Sequence, residues 1–160
     1  MTVRRVLTED QLHELRATPK RVTNPRAQWV NKPRQTPIHR QRSFQLSSEA
    51  EEDHRFEIYQ RENLHDAEDF STGIAAVFPD GTRLTLARYN GSSHEHGDIR
   101  FRPHIHRATE DAMRAGKRPE RDALATDRYV TVEGALACLI EDFAVRPNQI
   151  KARHDQPRLF

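Results

Sequence analysis

Two His-x-His pairs, His94-Glu-His96 and His104-Ile-His106, fall within thirteen residues of one another. They hold four of the nine histidines in the chain, and Arg88, Arg100 and Arg102 lie beside or between them. Imidazole exchanges a proton or binds a metal near neutral pH, so chemistry is sought here first. One chemistry is cleavage of an RNA phosphodiester. A base removes the 2′-hydroxyl proton, an acid protonates the leaving oxygen, and fixed positive charge stabilises the phosphorane. In that reading His104 and His106 are the acid–base pair and His94 and Arg88 complete the catalytic set. Arg100, Arg102 and His96 then hold phosphate, and no cofactor is required. The alternative is a zinc or other divalent site built from some of His94, His96, His104 and His106. The plainest reading is a row of polar side chains on the wet face of a sheet.

These residues need a strand to align them. On a strand, residues two apart share a face. Ile99, Phe101 and Ile105 therefore point to the core, and Arg100, Arg102, His104 and His106 point away from it. Neighbouring imidazoles then stand about 6.6 Å apart, at about 3.3 Å of rise per residue. Arg88 shares the alternation of Leu84 and Leu86, which predicts a half-buried position; Tyr89 faces the other side.

Further strands are expected at Arg55–Arg61 and Phe70–Phe78, where apolar residues alternate, and at Arg83–Tyr89 beyond a Pro79-Asp-Gly81 turn. Tyr129-Val130 reads as one more brief strand. Thr8 can cap a helix that ends before Pro19, and Ala108–Ala115 reads as a second helix stopped by Gly116. Thr131 can cap a third, whose stripe is Val132, Leu136, Leu139, Ile140 and Phe143. Strands followed by helices predict an α+β fold, with an antiparallel sheet of about four strands covered by one or two helices.

Charge divides the chain. Residues 1–45 hold ten Lys/Arg against three Asp/Glu, a net of +7, while the remainder carries a net of −5. With Pro19, Pro25, Pro33 and Pro37, the first segment reads as an extended basic arm, either free or laid across the body with Trp29 docked. The expected division is thus an arm at 1–45, a body at 46–145 and a tail at 146–160. Such an arm suits RNA, through Lys/Arg contacts to phosphate, or a protein partner. The lone Cys138 lies in an apolar helical stripe and reads as core. There is no long apolar run and no apolar stretch after Arg4 and Arg5, which points to a cytoplasmic protein with no membrane span.

The run Arg88-Tyr-Asn-Gly-Ser-Ser-His94, followed by Pro103-His-Ile-His106, resembles the core pattern of small bacterial toxins of the TumE type. That pattern has an Arg-Tyr-Asp/Asn stretch ending a strand, a histidine soon after, then Pro-His-x-His. The resemblance covers roughly residues 53–143. It implies a growth-inhibiting toxin that acts on RNA and is paired with an antitoxin. Gly-Ser-Ser after Asn90 and the basic arm depart from the family pattern. A second reading from the residues is a non-enzymatic module that binds nucleic acid or protein, as in bacterial or phage defence and counter-defence.

Overall fold

The computed structural model describes residues 5–34, 36, 38–50, 54–93 and 95–150. Among these described residues, ten strands and three helices follow one another as α1 (Glu9–Ala17), β1 (Lys20–Val22), β2 (Val30–Lys32), β3 (His39–Ser48), β4 (Arg55–Asn63), β5 (Asp66–Val77), β6 (Arg83–Asn90), β7 (Glu95–His96), β8 (Ile99–Arg100), β9 (His104–Arg107), α2 (Glu110–Arg114), β10 (Ala123–Ala125) and α3 (Val132–Asp142). Eight strands form one sheet in the order β1-β3-β4-β5-β6-β9-β10, with β2 also on β3; β7 and β8 make a separate ribbon. Every strand pair is antiparallel.

This corrects the expected fold class. The sheet has twice the expected number of strands, and the helices are short. The extra strands come largely from the segment read as an extended arm. β1 and β2 occupy the two ends of the outer edge of β3, pairing with Leu46–Ser48 and His39–Gln41. Asn24 joins them, its Oδ1 accepting from the Gln45 amide at 2.6 Å. Pro25 and Pro33 sit in the turns, where a missing amide donor costs nothing. Two of the segment's basic side chains are held by the neighbouring strand β4. Arg40 pairs with Glu62 at 2.7 Å, and Arg42 Nε donates to Gln60 Oε1 at 2.6 Å. Trp29 does dock, its ring under the Arg40 and Arg42 guanidinium groups.

One face of the sheet carries the core. Phe44, Ile58, Ile74 and Ala87 form one cross-strand row, and Leu46, Phe56, Ala76 and Leu84 the next. Val132, Ala135, Leu136, Leu139 and Phe143 come down on these rows from α3 and its C-cap, and Leu12 joins from α1. Each large apolar side chain buried this way contributes about 1.5–3 kcal/mol. Cys138 is buried in the same helix. Two helices begin as the sequence reads, with Thr8 and Thr131 each accepting a backbone amide as N-cap, while the second starts at Glu110 and not Ala108, with Thr109 as its N-cap. Tyr129 is not in a strand: its hydroxyl is shared by the carbonyls of Asn90 at 2.8 Å and His104 at 3.1 Å.

Lys20 binds the pieces together. It is fully buried, and Nζ donates to the carbonyls of Phe143, Thr18 and Arg16. It thereby caps the C-terminal ends of α3 and α1 at once, where cations are favoured. Burial lowers its pKa to about 7. Residues 146–150, expected as loose tail, are held too: Gln149 Oε1 accepts from the Val22 amide at 2.7 Å. Residues 151–160 lie outside the described residues. No helix is long and apolar enough to cross a membrane among the described residues.

Candidate acid–base site

The face away from α3 carries the polar side chains, and one backbone irregularity decides which. Leu84 pairs with Ala76 and Thr85 with Ala75, but Ile74 then pairs with Ala87. Leu86 is the extra residue of a β-bulge, and the alternation reverses beyond it. Ala87 and Tyr89 point into the core, while Arg88 and Asn90 come onto the opposite face. The expectation that Arg88 follows Leu84 and Leu86, with Tyr89 turned away from the core, is corrected by that one residue. Tyr89 is instead fully buried, its hydroxyl donating to Asp142 Oδ2 at 2.5 Å. Burial and that carboxylate push the phenol pKa well up.

β9 brings up the histidines. Arg88 lies opposite His106, and Asn90 opposite His104. Continued across the sheet, one row reads Tyr59, Gly73, Arg88, His106, and its neighbour reads Arg61, Ser71, Asn90, His104. The predicted continuous strand from Ile99 to His106 is interrupted. Phe101 has a φ of 51° and is 63% exposed, and Pro103 precedes the point where β9 starts. Ile99–Arg100 instead pairs back on Glu95–His96 through a turn at Gly97, whose φ is 58°. That ribbon carries the His96 ring against the other two. Ring centroids are 4.7 Å apart for His96–His106, 5.2 Å for His104–His106 and 6.0 Å for His96–His104.

The three imidazoles, Arg88 and Asn90 line a cleft of about 400 Å³ whose remaining wall is Lys117, Arg118, Glu120 and Arg121. His104 and His106 form its floor and are only 2% and 3% exposed. The hydrogen bonds fix their tautomers. His106 Nδ1 lies 2.9 Å from the Glu120 carbonyl and His104 Nδ1 lies 3.0 Å from the Arg102 carbonyl. A carbonyl only accepts, so both Nδ1 atoms carry hydrogen and both Nε2 atoms offer a lone pair when the ring is neutral. Asn90 Oδ1 accepts from Ser71, which turns Nδ2 toward His104 Nε2 at 3.5 Å.

Burial, and then the Arg88 guanidinium, push the His106 pKa down to about 4. Its ring is therefore neutral at pH 7. Arg88 itself has a buried Nε with no hydrogen-bond partner, and it makes no ion pair among the described residues. A half-buried guanidinium left in that state is positioned for an anion.

Not every residue singled out in the sequence reaches the cleft. Arg88, His96, His104 and His106 do. His94 lies outside the described residues. Arg100 is exposed on the ribbon, and Arg102 is paired with Asp127 at 2.9 Å; neither lines the cleft. Their place is taken by Lys117, Arg118 and Arg121, all from the segment between α2 and β10. Its one signal was a density of charge straight after the helix-ending Gly116. Among the described residues no group of three or more His, Cys, Asp or Glu is arranged to hold a metal ion. Compared with known proteins, the chain matches no family model, no characterised protein and no solved structure.

Proposed function

We propose that the cleft binds a phosphodiester of RNA and cleaves it by metal-free acid–base chemistry, in a toxin-like protein. The reading is carried by one observation: a histidine held neutral, His106, stands on the same cross-strand row as the unpaired Arg88, with its Nε2 lone pair available. His106 Nε2 takes the proton from the 2′-hydroxyl. The O2′–P bond forms as the P–O5′ bond breaks, and the exposed His96 serves as the acid that gives a proton to O5′. The products are a 2′,3′-cyclic phosphate and a 5′-hydroxyl end. Arg88 stabilises the charge that builds on the phosphorane. Lys117 and Arg118 at the rim attract the backbone, while His104, braced by Asn90, fixes the floor beneath.

Purified protein incubated with total RNA, with and without chelator, tests this. Cleavage persists in chelator and leaves cyclic phosphate ends. His106→Ala lowers the rate by at least about a hundredfold with the fold intact, the usual contribution of a general base. Cleavage abolished by chelator moves the reading to a zinc site. RNA held but never cut makes the cleft a binding module and ends the catalytic proposal.

A further inference from the structure

The same face of the sheet holds a second cavity beyond Arg88. It measures about 320 Å³ and is lined by Ser43, Tyr59, Arg61 and Ser71 together with Arg88, which it shares with the histidine cleft. The two cross-strand rows explain the shape. Between Arg88 and Tyr59 stands Gly73, and between Asn90 and Arg61 stands Ser71, so the sheet has its smallest side chains midway. The Tyr59 ring lies down into that gap. A Cβ at Gly73 would come within 2.2 Å of the Tyr59 ring, so glycine is what lets the ring rest on the backbone. Arg61 stands next to it, 38% exposed and only loosely tied to Asp69 at 3.9 Å.

A trough floored by small residues, with an aromatic ring laid on it and guanidinium groups at both ends, has the parts of a single-stranded nucleic-acid site. Bases stack on an aromatic ring whatever their identity, and arginine takes the backbone phosphate. From His106 to Tyr59 there are three strand spacings, about 14 Å at about 4.8 Å each, more than one phosphate can fill.

We propose that this trough is a subsite for the nucleotide next to the scissile phosphate, with its base against Tyr59 and its flanking phosphate against Arg61. The substrate is then single-stranded RNA entering across β5 and β4, and Arg88, shared by the two cavities, holds the scissile phosphate. This assignment rests on the reading of the histidine cleft as a phosphodiester site, and its test separates the two.

The probe is a fluorescein-labelled 2′-O-methyl RNA tetramer, which cannot be cleaved through its 2′-oxygen, with affinity read by fluorescence anisotropy on the full chain. Tyr59→Leu and Arg61→Gln each weaken binding about tenfold, the usual scale of a lost stack or phosphate contact. Tyr59→Phe, which keeps the ring, stays within about twofold of wild type. Arg61 is partly exposed, so its variant tests the subsite even if Tyr59→Leu fails to fold. Unchanged affinity in folded Arg61→Gln, or no binding of the tetramer by wild type, overturns the subsite whether or not the protein cuts RNA. Lost affinity in a protein that cuts nothing keeps the subsite and removes the cleavage reading.

Discussion

Replacing His106 by asparagine isolates the electrostatics of the floor of the cleft. Asparagine places an amide N–H near the position of imidazole Nδ1, so the bond to the Glu120 carbonyl has a replacement donor. The titrating group is gone. In the wild type, the fall in pKa from 6.5 to about 4 makes the folded state the poorer proton binder. The unfolded chain takes up a proton as pH drops below about 6.5, and the folded protein does not follow until about pH 4. Stability is therefore complete above pH 6.5 and is lost progressively down to pH 4. The full effect is about 3.4 kcal/mol at about 1.36 kcal/mol per pH unit, and between pH 7 and pH 4.5 it amounts to about 2.4 kcal/mol. Urea unfolding of both proteins at those two pH values measures it. Carboxylates titrate in the same window, so the decisive quantity is the difference between the two proteins' pH responses. His106→Asn starts with a constant penalty but loses about 2 kcal/mol less than wild type on acidification. Parallel responses, within about 0.5 kcal/mol, refute the account of a neutral His106.

Three further outcomes follow from contacts elsewhere. Tyr89→Phe removes the hydroxyl from Asp142, which Arg128 still holds, and lowers unfolding stability by about 1–2 kcal/mol in a urea titration. Lys20→Met leaves three carbonyls without their shared donor and costs at least about 2 kcal/mol, seen as a lower urea midpoint with an unchanged slope. Gly73→Val forces the Tyr59 ring off the sheet, costs about 1–3 kcal/mol, and shifts the Tyr59 ring resonances in an NMR spectrum.

Helices were legible from sequence because their signals are local: a capping threonine, a stripe and a stop at Pro19 or Gly116 sit within a few residues of one another. The hairpin of β5 and β6 was legible for the same reason, since Pro79-Asp-Gly81 carries its own turn geometry. β3 was missed although Phe44 and Leu46 alternate with polar residues, because the prolines and cations around it pointed to an extended chain. What fixes β3 is its pairing with β4 across nine residues, a contact no local window shows. Consequently residues 1–45 are not removable as an appendage: cutting there takes away β1, β2 and most of β3. At the site, His104, His106 and Arg88, singled out by type, come together in one cleft. Arg100 and Arg102 were misplaced because a single non-glycine residue, Phe101, takes a left-handed conformation and turns the chain.

The bulge at Leu86 gives β6 one residue more between Leu84 and Ala87 than β5 has between Ala76 and Ile74. Deleting that residue leaves a regular ladder in which Ala87 still meets Ile74 and Arg88 still lies opposite His106. Keeping every residue but ironing the strand flat does the reverse: the guanidinium enters the hydrophobic layer beneath α3, and the Tyr89 phenol emerges beside the imidazoles. A frame-preserving loss of this one aliphatic residue is thus expected to spare the pattern of the polar face, whereas forcing regular pairing at unchanged length dismantles it.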